Sequence, residues 1–148
     1  MNDFSIPGVP NQFGFEPSEA NYIRPGKRPL SSITPFILSG PKSLTAIGAA
    51  GGSRIISATA QSIWHLLEHG MGLRDAVAER RLHNQLMPNE TTFEEGFDEG
   101  TVASMEAKGH KAVWVGLRKS AVHAVRDLEG VFEAVGEPRQ AASGGSTA

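Results

Sequence analysis

The sequence predicts a mixed α+β domain in which helices cover layers of sheet. Three observations carry that reading. Short β-branched and apolar runs bounded by Gly, Pro and Asn recur in both halves of the chain. Between them, apolar residues fall at helical spacing. The resulting order is strand, strand, helix, helix, strand, helix and then strands, which suits an α+β or layered αββα arrangement. There is no internal repeat, and 148 residues suit one domain or part of a larger one.

The first 30 residues are rich in Pro, Gly and Asn and follow no period. Pro7, Pro10, Pro17, Pro25 and Pro29 forbid a long helix or a central strand there. Phe4, Phe13, Phe15 and Tyr22 imply that the segment is packed down on the rest of the chain. SITPFILSG, Ser32 to Gly40, reads as a strand ending in a Gly40–Pro41 turn, and KSLTAIGAA, Lys42 to Ala50, as its hairpin partner. Ser53 is placed to cap a helix running to about His69, with Ile56, Ala60, Ile63 and Leu67 on its apolar face and Gly70 as its stop. A short helix follows at Leu73–Arg81, then an extended stretch with a strand at Thr91–Glu95. Asp98 caps a helix to Lys108, closed by Gly109. Strands are expected at Ala112–Leu117, Ala121–Asp127 and Val131–Val135, with Gly130 turning the last pair. Trp64 and Trp114 are expected to anchor the core. The domain is expected to span 1–140, with 141–148 a disordered tail of small polar residues.

Composition narrows the function. Fourteen basic residues against sixteen acidic ones give no electrostatic footprint for nucleic acid or an anionic membrane. The absence of cysteine excludes disulfides and thiolate chemistry within the chain. No apolar run approaches the ~20 residues that a membrane-spanning helix needs. The start, MNDFSIPGVPNQFGF, lacks the basic and apolar regions of a signal peptide.

GAAGGSRII, Gly48 to Ile56, carries the first chemical signal. A strand, a glycine-rich turn and a helix start put bare amides and the helix dipole at one spot. Three readings stand. The turn binds phosphate, although Lys-Ser/Thr and the dinucleotide spacing are both missing. It forms an oxyanion hole, with adjacent amides facing a tetrahedral intermediate. Or the glycines only let a helix pack close to a sheet. Ser31 and Ser32, after a proline-fixed bend, are a second signal, though serine is also ordinary turn chemistry. A third word, HLLEH, places His65 and His69 at i and i+4 with Glu68 between, the pattern of a zinc hydrolase; His83, His110 and His123 are scattered and supply no evident third ligand.

Several words in order extend these signals. NYIRPGKRPLSSITP and GAAGGSRII, preceded by MNDF and followed by RLHNQLMPN and EPRQ, strongly resemble the C-terminal part of the small subunit of the γ-glutamyltranspeptidase (glutathione hydrolase) family. The resemblance covers nearly everything except the tail. It implies a partial N-terminal-nucleophile hydrolase fold, layered αββα and incomplete in this chain. It also implies transfer or hydrolysis of γ-glutamyl groups, as in glutathione, through an acyl-enzyme and without a cofactor. By the same resemblance, Gly51 and Gly52 form the oxyanion hole, Ser31 and Ser32 bind the glutamyl α-carboxylate, and Asp3 takes the α-ammonium. Physical chemistry suits each role: backbone donors need residues without bulk, hydroxyls donate to carboxylates, and a carboxylate opposes an ammonium.

The sequence departs from the family pattern at Asn2, where a second aspartate is usual, and at Ala49–Ala50, which replace Ser-Pro. Glu79–Arg80 replace Ala-Pro, and His123 stands in place of a glutamine. The nucleophilic threonine, further glutamate-binding residues and the whole large subunit belong, in the family, upstream of Met1. Thr91–Thr92 follow the glycine turn and read as strand residues rather than as that nucleophile. The expectation is therefore a fragment, inactive alone, that needs the large subunit and the start of the small subunit as partners and exposes a sheet face and edge they would cover. The resemblance suggests a secreted or membrane-attached setting through the large subunit. The alternative is a non-catalytic amino-acid-binding module or remnant. Arg81 and Arg139 read as structural ion-pair partners. Arg54 reads either as a substrate-carboxylate ligand or as a group that positions the helix start.

Overall fold

The structure, a computed structural model, describes residues 3–147; Met1, the Asn2 departure and Ala148 lie outside the described residues. Among the described residues of the proline-rich opening, the one helical element is a 3-10 turn, Glu19–Asn21. Phe4, Phe13 and Tyr22 are half-buried, whereas Phe15 is exposed.

A hairpin follows. β1 (Phe36–Gly40) pairs antiparallel with β2 (Ser43–Ala50). β1 begins four residues later than the sequence suggests. The side chains of Ser31 and Thr34 turn back onto neighbouring backbone there, to Ile33 N and Ser32 O, and Pro35 follows without an amide proton. β2 then pairs antiparallel with β6 (Ala121–Leu128), from Ser43↔Leu128 to Ala50↔Ala121, and β6 pairs with β7 (Val131–Val135). The sheet order is β1-β2-β6-β7. A smaller sheet holds β3 (Leu82–His83), β4 (Thr91–Glu94) and β5 (Ala112–Val115) in sequence order, with β4 and β5 parallel. α3 (Glu99–Ala107) makes that parallel crossover. Its start is capped as expected, by Asp98 Oδ2 accepting from Thr101 N at 2.6 Å.

The core lies between one face of the four-stranded sheet and two helices, α1 (Arg54–Leu67) and α2 (Leu73–Ala78). Ile47, Val122 and Ala124 meet Ala58, Leu66, Leu73, Ala76 and Val77 there. The buried stripe of α1 is Ala58, Thr59, Ser62 and Leu66; of the expected face only Ile63 packs against the core, while Ile56, Ala60 and Leu67 are exposed. Small residues let the helix lie close on the sheet, so size rather than hydropathy chose the inner face. The tryptophans are also a correction: Trp64 is 53% and Trp114 46% exposed. Trp64 lies against the His69 ring, edge to face at 4.4 Å, rather than in the core.

The opposite face of the sheet is open. Strand alternation and register place Ile37, Ala46, Val125 and Ala134 in one row across it, and Ile37 is 74% exposed. Leu44 and Phe132 lie exposed on the same side. At its end, the Ser143–Gly145 stretch runs against Gly136 and Ala134.

α2 ends at Ala78, three residues earlier than expected, because arginines take its last carbonyls. Arg81 Nη2 and Arg139 Nη1 both donate to Val77 O, at 2.5 and 3.1 Å. These arginines form a buried, charge-balanced cluster with Glu94 and Glu137. Arg81 reaches Glu137 at 3.0 Å; Arg139 reaches Glu137 at 2.9 Å and Glu94 at 2.6 Å. Both arginines are thus the structural ion-pair partners the sequence suggests. Burial pushes the Glu137 carboxyl up, but Arg139, the Val122 amide and Arg81 outweigh it and hold it below the usual range.

Candidate active site

β2 ends at Ala50 and α1 begins at Arg54, which leaves Gly51–Ser53 to turn the chain. Gly51 has φ 139° and Gly52 φ 61°, values that side chains rarely allow. The two glycines serve different ends. A Cβ on Gly51 would lie 2.9 Å from Lys119 O and 3.0 Å from Ser120 Cα, so the turn is pressed against the chain entering β6. A Cβ on Gly52 would meet nothing within 4 Å. Close packing thus accounts for Gly51, while Gly52 needs glycine for its backbone angle and faces open space. Ser53 occupies the N-cap position without a side-chain cap; Arg54 N and Ile55 N bond back to Gly51 O and Gly52 O at 3.2 and 3.1 Å.

Ser32 joins this turn. Its Oγ donates to Gly52 O at 2.7 Å, across 20 residues of sequence. A serine has one proton to give, so this bond commits it. Ser31 differs: its Oγ accepts from Ile33 N at 3.1 Å, which leaves its proton available, and the residue is exposed.

Asp3 is exposed and is connected to the serines through Asn21. Asn21 Nδ2 donates to Asp3 O at 2.7 Å, and Asn21 Oδ1 accepts from Leu30 N, the residue before Ser31, at 3.3 Å. Ser5 N also donates to Asn21 O at 3.0 Å. Hydrogen bonds from Asn21 to Asp3 and Leu30, the chain from Leu30 to Ser32, and the bond from Ser32 to Gly52 thus connect four of the five residues singled out in the sequence, and Gly51 adjoins Gly52 in the same turn. Asn21 is a bridging residue that the sequence does not single out. Its signal was only an Asn at the end of a short turn, where a side chain holding both donor and acceptor suits a bridge.

A polar seam fixes α1 behind the turn. Arg54 Nη1 donates to Thr92 Oγ1 at 2.8 Å, and Gln61 grips the Leu82 backbone at 2.8 and 2.9 Å. Arg54 therefore positions the helix start and points to β4. Thr91 and Thr92 are buried strand residues. Between these ties, Ser57 Oγ lies 2.8 Å from His83 Nδ1, and His83 Nε2 lies 2.8 Å from Gln85 Oε1. Gln85 Nε2 donates to Met87 O at 2.7 Å, so its Oε1 is an acceptor and the His83 proton sits on Nε2. Burial lowers the His83 pKa, aided by Arg54 and opposed by Gln85. His65 and His69, the ends of the HLLEH word, have ring centroids 5.5 Å apart, and burial lowers the His65 pKa. Among the described residues no group of three or more His, Asp or Glu is placed to hold a metal ion.

Comparison with known proteins decides what this arrangement belongs to. A profile described as Gamma-glutamyltranspeptidase matches residues 1–146. The chain belongs to the gamma-glutamyltranspeptidase family. It is 48% identical over 147 residues to a glutathione hydrolase proenzyme of Arthroderma benhamiae, a match that covers 98% of this chain and 25% of that protein. The chain therefore spans about a quarter of the length of that curated relative. A mutant gamma-glutamyltranspeptidase of Helicobacter pylori superposes with a TM-score of 0.83 at 33% identity, over 95% of this chain and 78% of that one. The gamma-glutamyltranspeptidase of Pseudomonas nitroreducens, solved with L-DON, superposes with a TM-score of 0.83 at 31% identity, over 99% and 79%. The expected fold class thus holds: this is a mixed α+β part of the N-terminal-nucleophile hydrolase architecture seen in gamma-glutamyltranspeptidases.

Proposed function

We propose that this chain supplies the glutamate clamp and the oxyanion hole of a γ-glutamyl hydrolase or transferase acting on glutathione-like amides. The observation that carries the reading is the path that ties Asp3, Ser31 and Ser32 to the Gly52 turn. The Asp3 carboxylate takes the substrate α-ammonium, and the free Ser31 proton goes to the α-carboxylate. Ser32, whose proton is committed to Gly52 O, braces the turn rather than binding the head group. The Gly51 and Gly52 amides receive the charge that develops on the γ-carbonyl oxygen.

The nucleophile in this proposal is a threonine hydroxyl from a separate segment. It bonds to the γ-carbonyl carbon, its proton passes to a base, and the amine leaves protonated as the acyl-enzyme forms. Water or an acceptor amine then breaks that ester. In this reading the chain acts together with the remaining part of a proenzyme, which supplies the threonine.

Co-expression of this chain with the complementary segment of the Arthroderma benhamiae proenzyme tests the reading. Release of p-nitroaniline from γ-glutamyl p-nitroanilide is expected, with a raised KM when Asp3→Ala is introduced. Assembly without cleavage, or cleavage indifferent to Asp3→Ala, would count against it. Glutamate binding by the chain without any partner would favour the module alternative.

A further inference from the structure

The β2–β6 ladder ends at Ala50↔Ala121, so the next residues outward, Gly51 and Ser120, are cross-strand neighbours. No room exists between them: the Gly51 Cβ position is 3.0 Å from Ser120 Cα and 3.2 Å from Ser120 Cβ. Ser120 is itself held from behind. Arg81 Nη1 donates to Ser120 Oγ at 3.1 Å and approaches Ser120 O at 3.5 Å. The same nitrogen donates to Glu137 Oε2 at 3.0 Å, and that carboxylate oxygen accepts from Val122 N at 2.7 Å. The buried Arg-Glu cluster therefore fixes Ser120 from its side chain and the start of β6 from its backbone.

We propose that Ser120 is a positioning residue that transmits this rigidity to the Gly51–Gly52 bend. The inference rests on the oxyanion-hole reading of that bend. Ser120 touches no reacting atom. It forms the wall against which Gly51 is seated, and its hydroxyl is the side-chain link from Arg81 to that wall. Donor position matters most when charge has developed, so loosening the wall lowers turnover and leaves glutamate binding by Asp3 and Ser31 intact.

Two measurements test this. In the 148-residue chain, Ser120→Ala is expected to speed amide exchange at Arg54 and Ile55, whose protons bond to Gly51 O and Gly52 O, by roughly tenfold, with α3 amides unchanged. Ser120→Thr, which keeps the hydroxyl, should restore protection. In the proenzyme co-expressed as above, Ser120→Ala should lower kcat on the order of tenfold at constant KM, and Ser120→Thr should recover it. Unchanged exchange at Arg54 and Ile55 in Ser120→Ala overturns the proposal, as does equal loss through KM. If Gly52→Val lowers kcat and Ser120→Ala does not, the positioning role fails while the oxyanion hole stands. If Gly52→Val leaves kcat intact, the oxyanion hole fails, and the exchange result still decides whether Ser120 seats the bend.

Discussion

The hydroxyl of Ser32 donates to the carbonyl of Gly52 at 2.7 Å, although adjacent Ser31 keeps its own proton free. Two neighbouring serines of identical chemistry thereby differ, one committed to the turn and one with its proton free, and the proposed function makes Ser31 the ligand and Ser32 the brace. The separation predicts different kinetics. Ser31→Ala should raise KM for a γ-glutamyl amide about ten- to hundredfold, the worth of a hydrogen bond to a charged group, with kcat little changed. Ser32→Ala should also lower kcat, because Gly52 loses its anchor. Steady-state kinetics of the two single variants in the co-expressed enzyme check this, and identical profiles would contradict the division.

The two glycines should also respond differently to substitution. Gly51→Ala drives a methyl to 2.9 Å from Lys119 O and should destabilise the chain by about 1–3 kcal/mol in urea unfolding. The Cβ of Gly52→Val meets no neighbour within 4 Å, yet the substitution forces a β-branched residue to φ 61°. Its main expected effect is on kcat, about a hundredfold, the usual scale for loss of an oxyanion donor.

The buried cluster balances two arginines against two glutamates. Glu137→Ala leaves Arg81 and Arg139 short of a counter-charge and should cost about 3–5 kcal/mol in equilibrium unfolding. A loss below about 1 kcal/mol, the value of an exposed pair, would mean that water enters the cluster.

Stability should fall as the pH drops below the ordinary histidine range. His83 and His65 have native pKa values lowered by burial, so between the lowered values and about 6.5 the unfolded chain binds more protons. Their neutral forms support the fold fully above about pH 6.5, and that support is lost as the pH falls through the native values. Urea unfolding at pH 7.5 and pH 5.5 should show the decline, and His83→Gln should reduce it. A pH-independent midpoint over that range would refute the assignment.

How far the sequence could be read follows from how local each feature is. The β1–β2 hairpin, the Asp98 cap and the Val131–Val135 strand depend on a few adjacent residues, and all three form as expected. The inner face of α1 follows the expected apolar residues only at Ile63, because the close approach of the sheet sets its packing more than the helix's own pattern does. Trp64 and Trp114 misled for a related reason: size favours burial only where the fold offers a covered face. In the site, the serines and glycines were visible as words. The partners Asn21 and Ser120 were not, since each acts through a contact between distant segments.

The pairing of β2 with β6 has a kinetic consequence. These strands stand far apart in the chain, so closing the ladder carries a loop-entropy cost that helix α1 does not bear. The bend at Gly51 gains its wall only when that closure is complete. An ensemble in which α1 has formed and the ladder is still open would look helical in the far ultraviolet while the Gly51–Gly52 bend is unseated, so ordering of the bend should lag behind helicity during refolding.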